Sequence, residues 1–396
     1  MDTQVYSDTM EEIKEALQSN NQSLAAETVQ RYLDKVENIP LNIAITGESG
    51  SGKSTFVNAF RGIDNRDEGA APTGVVETTF EITFYPHPNY PNVTLWDLPG
   101  IGTTSFPADK YLQHVGFEKF DFFVIISVDR FRENDVKLAQ EIQKMGKKFY
   151  FIRSKIDNNL RDEERSQREF NAETTLTQIR ENCIKGLQKQ GVETPQVFLV
   201  SSFDLHLYDF RLLEETLERE LPAHKKGILL LAMPTVSLEI INKKKEALQS
   251  KIKYKGLLSV SVACAPVPGV SSAVDIAMII EAVTQYILVF GLDTPSLERL
   301  AQTTGVPLDD LRAGISPLAA QKLTSDLILK LLSQCATNVA LMAAEEGSRL
   351  IPIFGIPVAM GLSFLSTYKA LNYFLDMLAE DAQRVFQRAL GLNTSV

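Results

Sequence analysis

Hydrophobic positions in this chain repeat with two different periods, and the change from one to the other divides it. Over residues 7–38, "SDTMEEIKEALQSNNQSLAAETVQRYLDKVEN", apolar side chains recur every three to four positions in two pieces interrupted at "NNQS". That spacing predicts two helices, with Ser7, and Asn21 or Ser23, as their caps. After Pro40 the texture changes to short apolar runs: "LNIAIT" (41–46), "FEITFY" (80–85), "VTLWD" (93–97), "FDFFVIIS" (120–127), "KFYFIR" (148–153) and "QVFLVSS" (196–202). Polar, helix-periodic stretches separate them, and the alternation predicts an α/β fold with a doubly wound, mostly parallel six-stranded sheet. "FRLLEETLEREL" reads as its last helix, ending at Pro222. From about residue 234 the strand-type runs stop and long helical segments follow, such as "SLEIINKKKEALQSKIKYKGLL" and "LNYFLDMLAEDAQRVFQRAL". The predicted organisation is an N-terminal helical arm (1–38), an α/β domain (39–226) and an all-α domain (227–396) against which the arm packs.

Composition narrows the class. With 396 residues, 44% hydrophobic and 23% charged, the chain resembles ordinary globular proteins and is long enough for two cores. A formal net charge of −10 argues against a nucleic-acid partner. Cys183, Cys264 and Cys335 are far apart and odd in number, so they read as reduced thiols of a cytosolic protein and not as a zinc or disulfide framework. The four histidines are scattered, and no metal cluster is expected from them. The amino terminus has no basic segment leading into an apolar core, and Asp2 stands where myristoylation needs glycine, so neither a secretory signal nor that lipid is expected.

The stretch Gly47-Glu48-Ser49-Gly50-Ser51-Gly52-Lys53-Ser54, followed by Thr55, carries the first chemistry. It fits G-x-x-x-x-G-K-[ST] and lies between a predicted strand and a predicted helix running to Gly62. Glycines at these positions let backbone N–H groups converge on phosphate oxygens, and the helix N-terminus adds positive potential. Lys53 is then placed to reach β and γ phosphates, and the Ser54 hydroxyl to ligate Mg2+. Such a site needs a carboxylate at the end of a neighbouring strand, and Asp97 of "VTLWDLPG" supplies one. Gly100 can offer its N–H to the γ phosphate. A chance Gly-Ser turn or a strand-ending Asp-Leu-Pro-Gly turn explains either motif alone, but not both at this spacing behind apolar strands.

Base choice is read from "FYFIRSKID". Ser154-Lys155-Ile156-Asp157 resembles the [NT]-K-x-D guanine motif, with Ser154 where Asn or Thr is usual. A carboxylate there accepts from guanine N1–H and the 2-amino group, which adenine does not present, while the Lys155 stem lies along the base. Ser201 and Ser202 in "LVSS" fall where backbone N–H groups would cap the base. Between Ser54 and Asp97, "EGAAPTGVVETTFEI" is placed as a γ-phosphate-sensing switch; Thr78 or Thr79 would contact Mg2+, and Glu77 is the nearby acid. Ile101 follows Gly100 in place of a water-positioning glutamine, which predicts hydrolysis that is slow or completed by a second molecule.

The segments "GESGSGKSTFVNAFRGI", "EGAAPTGVVETT", "PNVTLWDLPGIGTT", "FDFFVIIS", "FYFIRSKID" and "LPAHKK" together resemble the immunity-related (interferon-inducible) GTPases. "FGLDTPSLERLA" and "FLDMLAEDA" extend the resemblance through the helical part. It implies GTP/GDP and Mg2+ as ligands and dynamin-like behaviour in interferon-type cell-autonomous immunity. In that behaviour GTP drives G-domain contact between copies or with related GTPases, assembly takes place on intracellular membranes, and hydrolysis releases it. It also implies a cytoplasmic, peripherally membrane-associated protein, the branch with Lys and not Met at position 53, and a role for Glu77 in catalysis across a dimer. The catalytic set is then Lys53, Glu77, Thr79 and Gly100, with Ser54, Thr78 and Asp97 at the metal. Two other functions are weighed: an assembly module that binds GTP with little hydrolysis, and an ATPase or kinase, which "SKID" disfavours.

Two stretches of 19 residues carry no charge, 256–274 and 350–368, each with two prolines and two glycines. They just reach spanning length. Buried helix-turn-helix elements and a peripheral membrane-docking surface are both compatible with them, and the lysines at 243–245, 251, 253 and 255 would be a solvated helix face or a contact with anionic lipid.

Overall fold

A computed structural model describes residues 2–19, 21–74, 81–99, 116–128, 133–263, 270–332 and 358–391. Two compact units divide it, Pro40–Val236 and a helical unit of Met1–Ile39 with Ser237–Val396.

In the α/β unit six strands, β1 (Leu41–Gly47), β2 (Thr83–His87), β3 (Tyr90–Asp97), β4 (Phe122–Ser127), β5 (Lys148–Arg153) and β6 (Val197–Leu199), form one sheet in the order β2-β3-β1-β4-β5-β6. Only β2 runs antiparallel, as a hairpin with β3. The run "FFVIIS" is buried along its whole length because β4 is central and covered on both faces. Five strands differ in their boundaries from the sequence reading: β1 runs one residue further, to Gly47, and β3 begins three residues early, at Tyr90. β2 sits at 83–87, continuing through Pro86, which an edge strand tolerates at the register shift between Pro86 and His87. β4 begins two residues late, at Phe122. β6 is three residues long; the Val200 N–H still bonds the Arg153 carbonyl at 2.9 Å, and on the open edge the Leu199 N–H bonds the Asp209 carboxylate at 2.7 Å as the chain leaves the sheet.

In the helical unit the first helix begins at Asp2, so Ser7 lies inside it and does not cap it. Asn21 caps the second helix, Gln22–Glu37, accepting from the Leu24 N–H at 3.2 Å. Two long helices, Leu238–Ala263 and Val358–Ala389, share a core with the arm: Ile13, Leu17, Val29, Leu33, Tyr254, Leu257 and Phe364 are all buried. At their crossing a Cβ on Gly256 would stand 3.0 Å from the Phe364 ring, and Thr367 Oγ1 bonds Ser259 Oγ at 3.1 Å. Gly256, Leu257 and Ser259 of the first charge-free stretch and Phe364 and Thr367 of the second are therefore core, and Phe364 offers nothing to a membrane surface.

Four lysines of the run beside the first stretch, Lys243, Lys244, Lys245 and Lys251, are neither a solvated face nor a free basic patch. Lys244 is 1% exposed and donates to the Val289 carbonyl at 2.9 Å. Lys243 pairs with Glu239 at 3.2 Å, Lys245 with Asp376 at 2.6 Å and Lys251 with Glu37 at 3.4 Å. Burial pulls the Lys251 ammonium below its ordinary value, with Glu37 opposing. The segment Asp275–Thr304 is long and apolar enough to cross a membrane, with 39% of its most apolar window buried. It is not one straight helix, because the chain turns through Gly291 at φ 69° and restarts after the Asp293 cap.

Candidate nucleotide-binding site

All the site loops leave the sheet at the C-terminal ends of parallel strands, where an open α/β sheet forms its crevice. β1 delivers Gly47, with a backbone φ of 137° and so little room that a Cβ would lie 2.1 Å from the Ile126 carbonyl oxygen of β4. Any side chain there would push the strands apart. Gly52, at φ 93°, occupies the N-cap of helix Lys53–Phe60 and turns the loop into it. The Lys53 ammonium is buried within this loop and donates to the carbonyls of Gly47 at 3.3 Å and Glu48 at 2.9 Å. Ser49 is exposed at the loop tip, Ser51 is fully buried and Thr55 is half-buried.

Registry between β1 and β3 pairs Ile45 with Asp97, which sets the Asp97 carboxylate one strand away from the loop. The Ser54 hydroxyl donates to it at 2.6 Å. Asp97 is wholly buried, and Tyr85 nearby has its phenol pushed up, chiefly by burial and then by the Asp97 charge. A hydroxyl and a carboxylate on adjacent elements are the hard oxygen donors that Mg2+ takes. The helix bearing Ser54 also anchors the chain leading toward the switch: Asn58 Oδ1 accepts from Ala71 N–H at 2.7 Å, and Arg61 donates to the Gly69 carbonyl at 3.0 Å. Glu77, Thr78, Thr79 and Gly100 lie outside the described residues.

The loop after β5 is tied directly onto the phosphate loop. Ser154 Oγ lies 2.7 Å from the Ser51 carbonyl oxygen, and Lys155 Nζ donates to the Gly50 carbonyl at 3.0 Å. A Cβ on Gly52 would fall 3.8 Å from both Lys155 Cε and Ser154 Oγ, so the two loops pack. Serine at 154 thus keeps a loop-bracing hydroxyl. Lys155 itself takes the left-handed conformation at φ 55°, which starts helix Ile156–Ser166 with Asp157 in its first turn. The Asp157 carboxylate has the Arg161 guanidinium 3.9 Å away. Next in the sheet, Ser201 is fully buried and its hydroxyl has no hydrogen-bond partner, as is also true of Ser51; Ser202 is half-buried. The orphaned buried hydroxyls on the phosphate loop and on the loop after β6 suit a polar ligand at these loops.

The sequence reading missed the group that ties down the last loop. Arg180, on helix Ala172–Lys189, forms a fork with Asp209: NH1 to Oδ2 at 2.6 Å and NH2 to Oδ1 at 3.0 Å. No local motif marks the pair, because its partners are 29 residues apart and meet only once helix and sheet pack.

A protein-family model for "Interferon-inducible GTPase (IIGP)" matches residues 6–389. "Interferon-inducible GTPase 5" of Rattus norvegicus is 42% identical over 383 residues, covering 96% of this chain and 82% of its own. "Interferon-gamma-inducible GTPase 10" of Mus musculus is 38% identical over 398 residues, covering 100% and 93%. Among solved structures, a probable GTP-binding protein engB covers 45% of this chain and 97% of its own, with 17% identity and a TM-score of 0.27.

Proposed function

The chain belongs to the interferon-inducible GTPase family, a guanine-nucleotide-binding enzyme of interferon-driven immunity that hydrolyses GTP, and we propose that it does so at the loops described above, with Mg2+, in assemblies of its own copies. The observation that carries the site assignment is the meeting of three separate sequence motifs around one crevice: Ser54 on Asp97 at 2.6 Å, Lys155 on the Gly50 carbonyl at 3.0 Å and Ser154 at 2.7 Å from the Ser51 carbonyl.

Each residue then has a defined task. The backbone N–H groups of residues 48–53 and the helix N-terminus surround the phosphates. Lys53 exchanges its two loop carbonyls for β and γ phosphate oxygens, where its charge opposes the negative charge that builds as the bond to the leaving diphosphate breaks. Ser54 and Asp97 would hold Mg2+, which when bound neutralises charge shared by the β and γ phosphates. Asp157 accepts from guanine N1–H and the 2-amino group, and Ser201 and Ser202 offer N–H groups to the base carbonyl. Glu77, Thr78 or Thr79, and Gly100 complete the γ-phosphate side in this reading.

Ile101 in place of a water-positioning glutamine supports a requirement for a second molecule, and with it GTP-driven self-assembly or assembly with related GTPases. We extend the proposal to peripheral association with intracellular membranes from the cytoplasm. Because Lys243, Lys244, Lys245, Lys251 and Phe364 are engaged inside the helical unit, such contact would use other residues. The test is steady-state hydrolysis over a range of protein concentrations with and without Mg2+. Turnover per molecule that rises with concentration, and vanishes without the ion, is the expected result; a constant turnover per molecule would remove self-activation.

A further inference from the structure

The chain leaves the sheet at Leu199 and is fastened again ten residues later at Asp209, so residues 200–208 form a loop with a closed neck. Asp209 N–H bonds the Leu199 carbonyl at 2.9 Å, and Leu199 N–H bonds Asp209 Oδ2 at 2.7 Å. Arg180 grips both oxygens of Asp209 and also reaches the Val197 carbonyl at 3.3 Å, so one guanidinium fixes the strand and the loop end together. Asp209 stands at the N-cap of helix Phe210–Glu220, a position where its carboxylate would ordinarily accept from the helix's own N–H groups. It makes no such bond. The carboxylate is turned instead to the neck of the loop.

Backbone strain sits at the same place. Among the described residues, the non-glycine positions with left-handed backbone are Lys155 at φ 55° and Tyr208 at φ 56°. One belongs to each of the two loops assigned to the base, and Tyr208 directly precedes the clamped Asp209. Such conformations persist only where surroundings over-determine them. Tyr208 packs on the core that includes Ile156 and Leu199, which joins the two loops behind the site. Its phenol is pushed up by burial and then by the charges of Asp157 and Asp204, as befits a ring close to the base-reading carboxylate.

We propose that Arg180 is a specificity-positioning residue: its fork with Asp209 locks the neck of loop 200–208, so that the Ser201 and Ser202 amides and Tyr208 stand in fixed register with Asp157 around a guanine base. Arg180 touches no nucleotide. It acts on base selectivity through the loop, and the inference rests on the guanine reading of the site.

Arg180→Gln and Arg180→Lys in the full chain, titrated with fluorescent GDP and ADP, test it. ADP affinity depends on the phosphate loop and should stay as in the unsubstituted chain. GDP affinity should fall about tenfold or more in Arg180→Gln, shrinking the GDP-to-ADP preference by the same factor, with melting temperature little changed. Arg180→Lys retains the charge but loses the fork and should fall between; should the glutamine variant fail to fold, the lysine variant decides. An unchanged preference in a folded variant, or equal losses for both nucleotides, overturns the proposal. An unsubstituted chain that binds GDP and ADP alike sinks the guanine reading and this inference with it, whereas preference for GDP kept by all variants sinks this inference alone.

Discussion

Each unit buries a lysine, and the two are held in different ways. Lys53 donates to the carbonyls of Gly47 and Glu48, in a loop shaped by left-handed glycines at the open end of a sheet. Lys244 donates to the carbonyl of Val289, in the last turn of helix Val270–Phe290, between long helices. A buried ammonium must have partners, and loop carbonyls can be exchanged for ligand oxygens while a helix-end carbonyl is part of the scaffold. The same contrast runs through the other polar groups. The α/β unit turns Ser54, Asp97, Ser154 and Lys155 toward one crevice, and the helical unit ties Lys243, Lys245 and Lys251 to its own carboxylates. The proposed function accordingly places the chemistry in the first and the packing in the second.

That contrast can be broken by substitution. Phe364→Ala empties a fully buried site between the arm and the long helices and should cost about 3–5 kcal/mol of stability. Melting curves would measure it, and GTP binding below the transition should be retained. Lys53→Ala should lower hydrolysis about 10²–10³-fold or more while the melting temperature moves by only a few degrees. A variant that still turns over GTP normally would remove Lys53 from the chemistry. Lys244→Met removes the bond to the Val289 carbonyl and should cost about 1–3 kcal/mol with unchanged nucleotide affinity. Any loss of GTP binding there would show that the division between the units is drawn in the wrong place.

The smallest effect is expected at Lys251. Burial lowers its folded pKa, so between that value and the ordinary lysine value the unfolded chain binds the extra proton and stability rises with pH. Lys251→Met should leave stability at neutral pH within about 1 kcal/mol of the parent or slightly above it, and should abolish that alkaline rise. Denaturant melts at several pH values would detect a residual slope.

What the sequence disclosed follows from how local each signal is. Short apolar runs separated by polar, helix-periodic stretches marked the six strands, and the spacing from the phosphate loop to Asp97 and on to Asp157 needed only chain order. Strand ends were less legible. Pro86 reads as a terminator until β2 is known to be an edge, and β6 stops early where the chain enters a loop that Asp209 closes ten residues on. The lysine run reads as exposed in a linear view because Glu37 and Asp376, which bond Lys251 and Lys245, come from distant helices. The fork of Arg180 and Asp209 was invisible for the same reason. Ser154 looked like a departure from its motif, yet its hydroxyl at 2.7 Å from the Ser51 carbonyl gives it a bracing place that only the folded loops display.

Guanine recognition rests on Asp157, and one substitution there decides it. Two bonds from guanine to a charged acceptor contribute about 1.5–3 kcal/mol each, so Asp157→Asn should weaken GTP binding by roughly two to four powers of ten. The new amide N–H2 opposes the guanine 2-amino group but suits the carbonyl of xanthine. Titration of both nucleotides should therefore show GTP affinity lost and xanthosine triphosphate affinity gained. Equal GTP affinity in variant and parent, with no gain for the xanthine nucleotide, would remove Asp157 from base recognition.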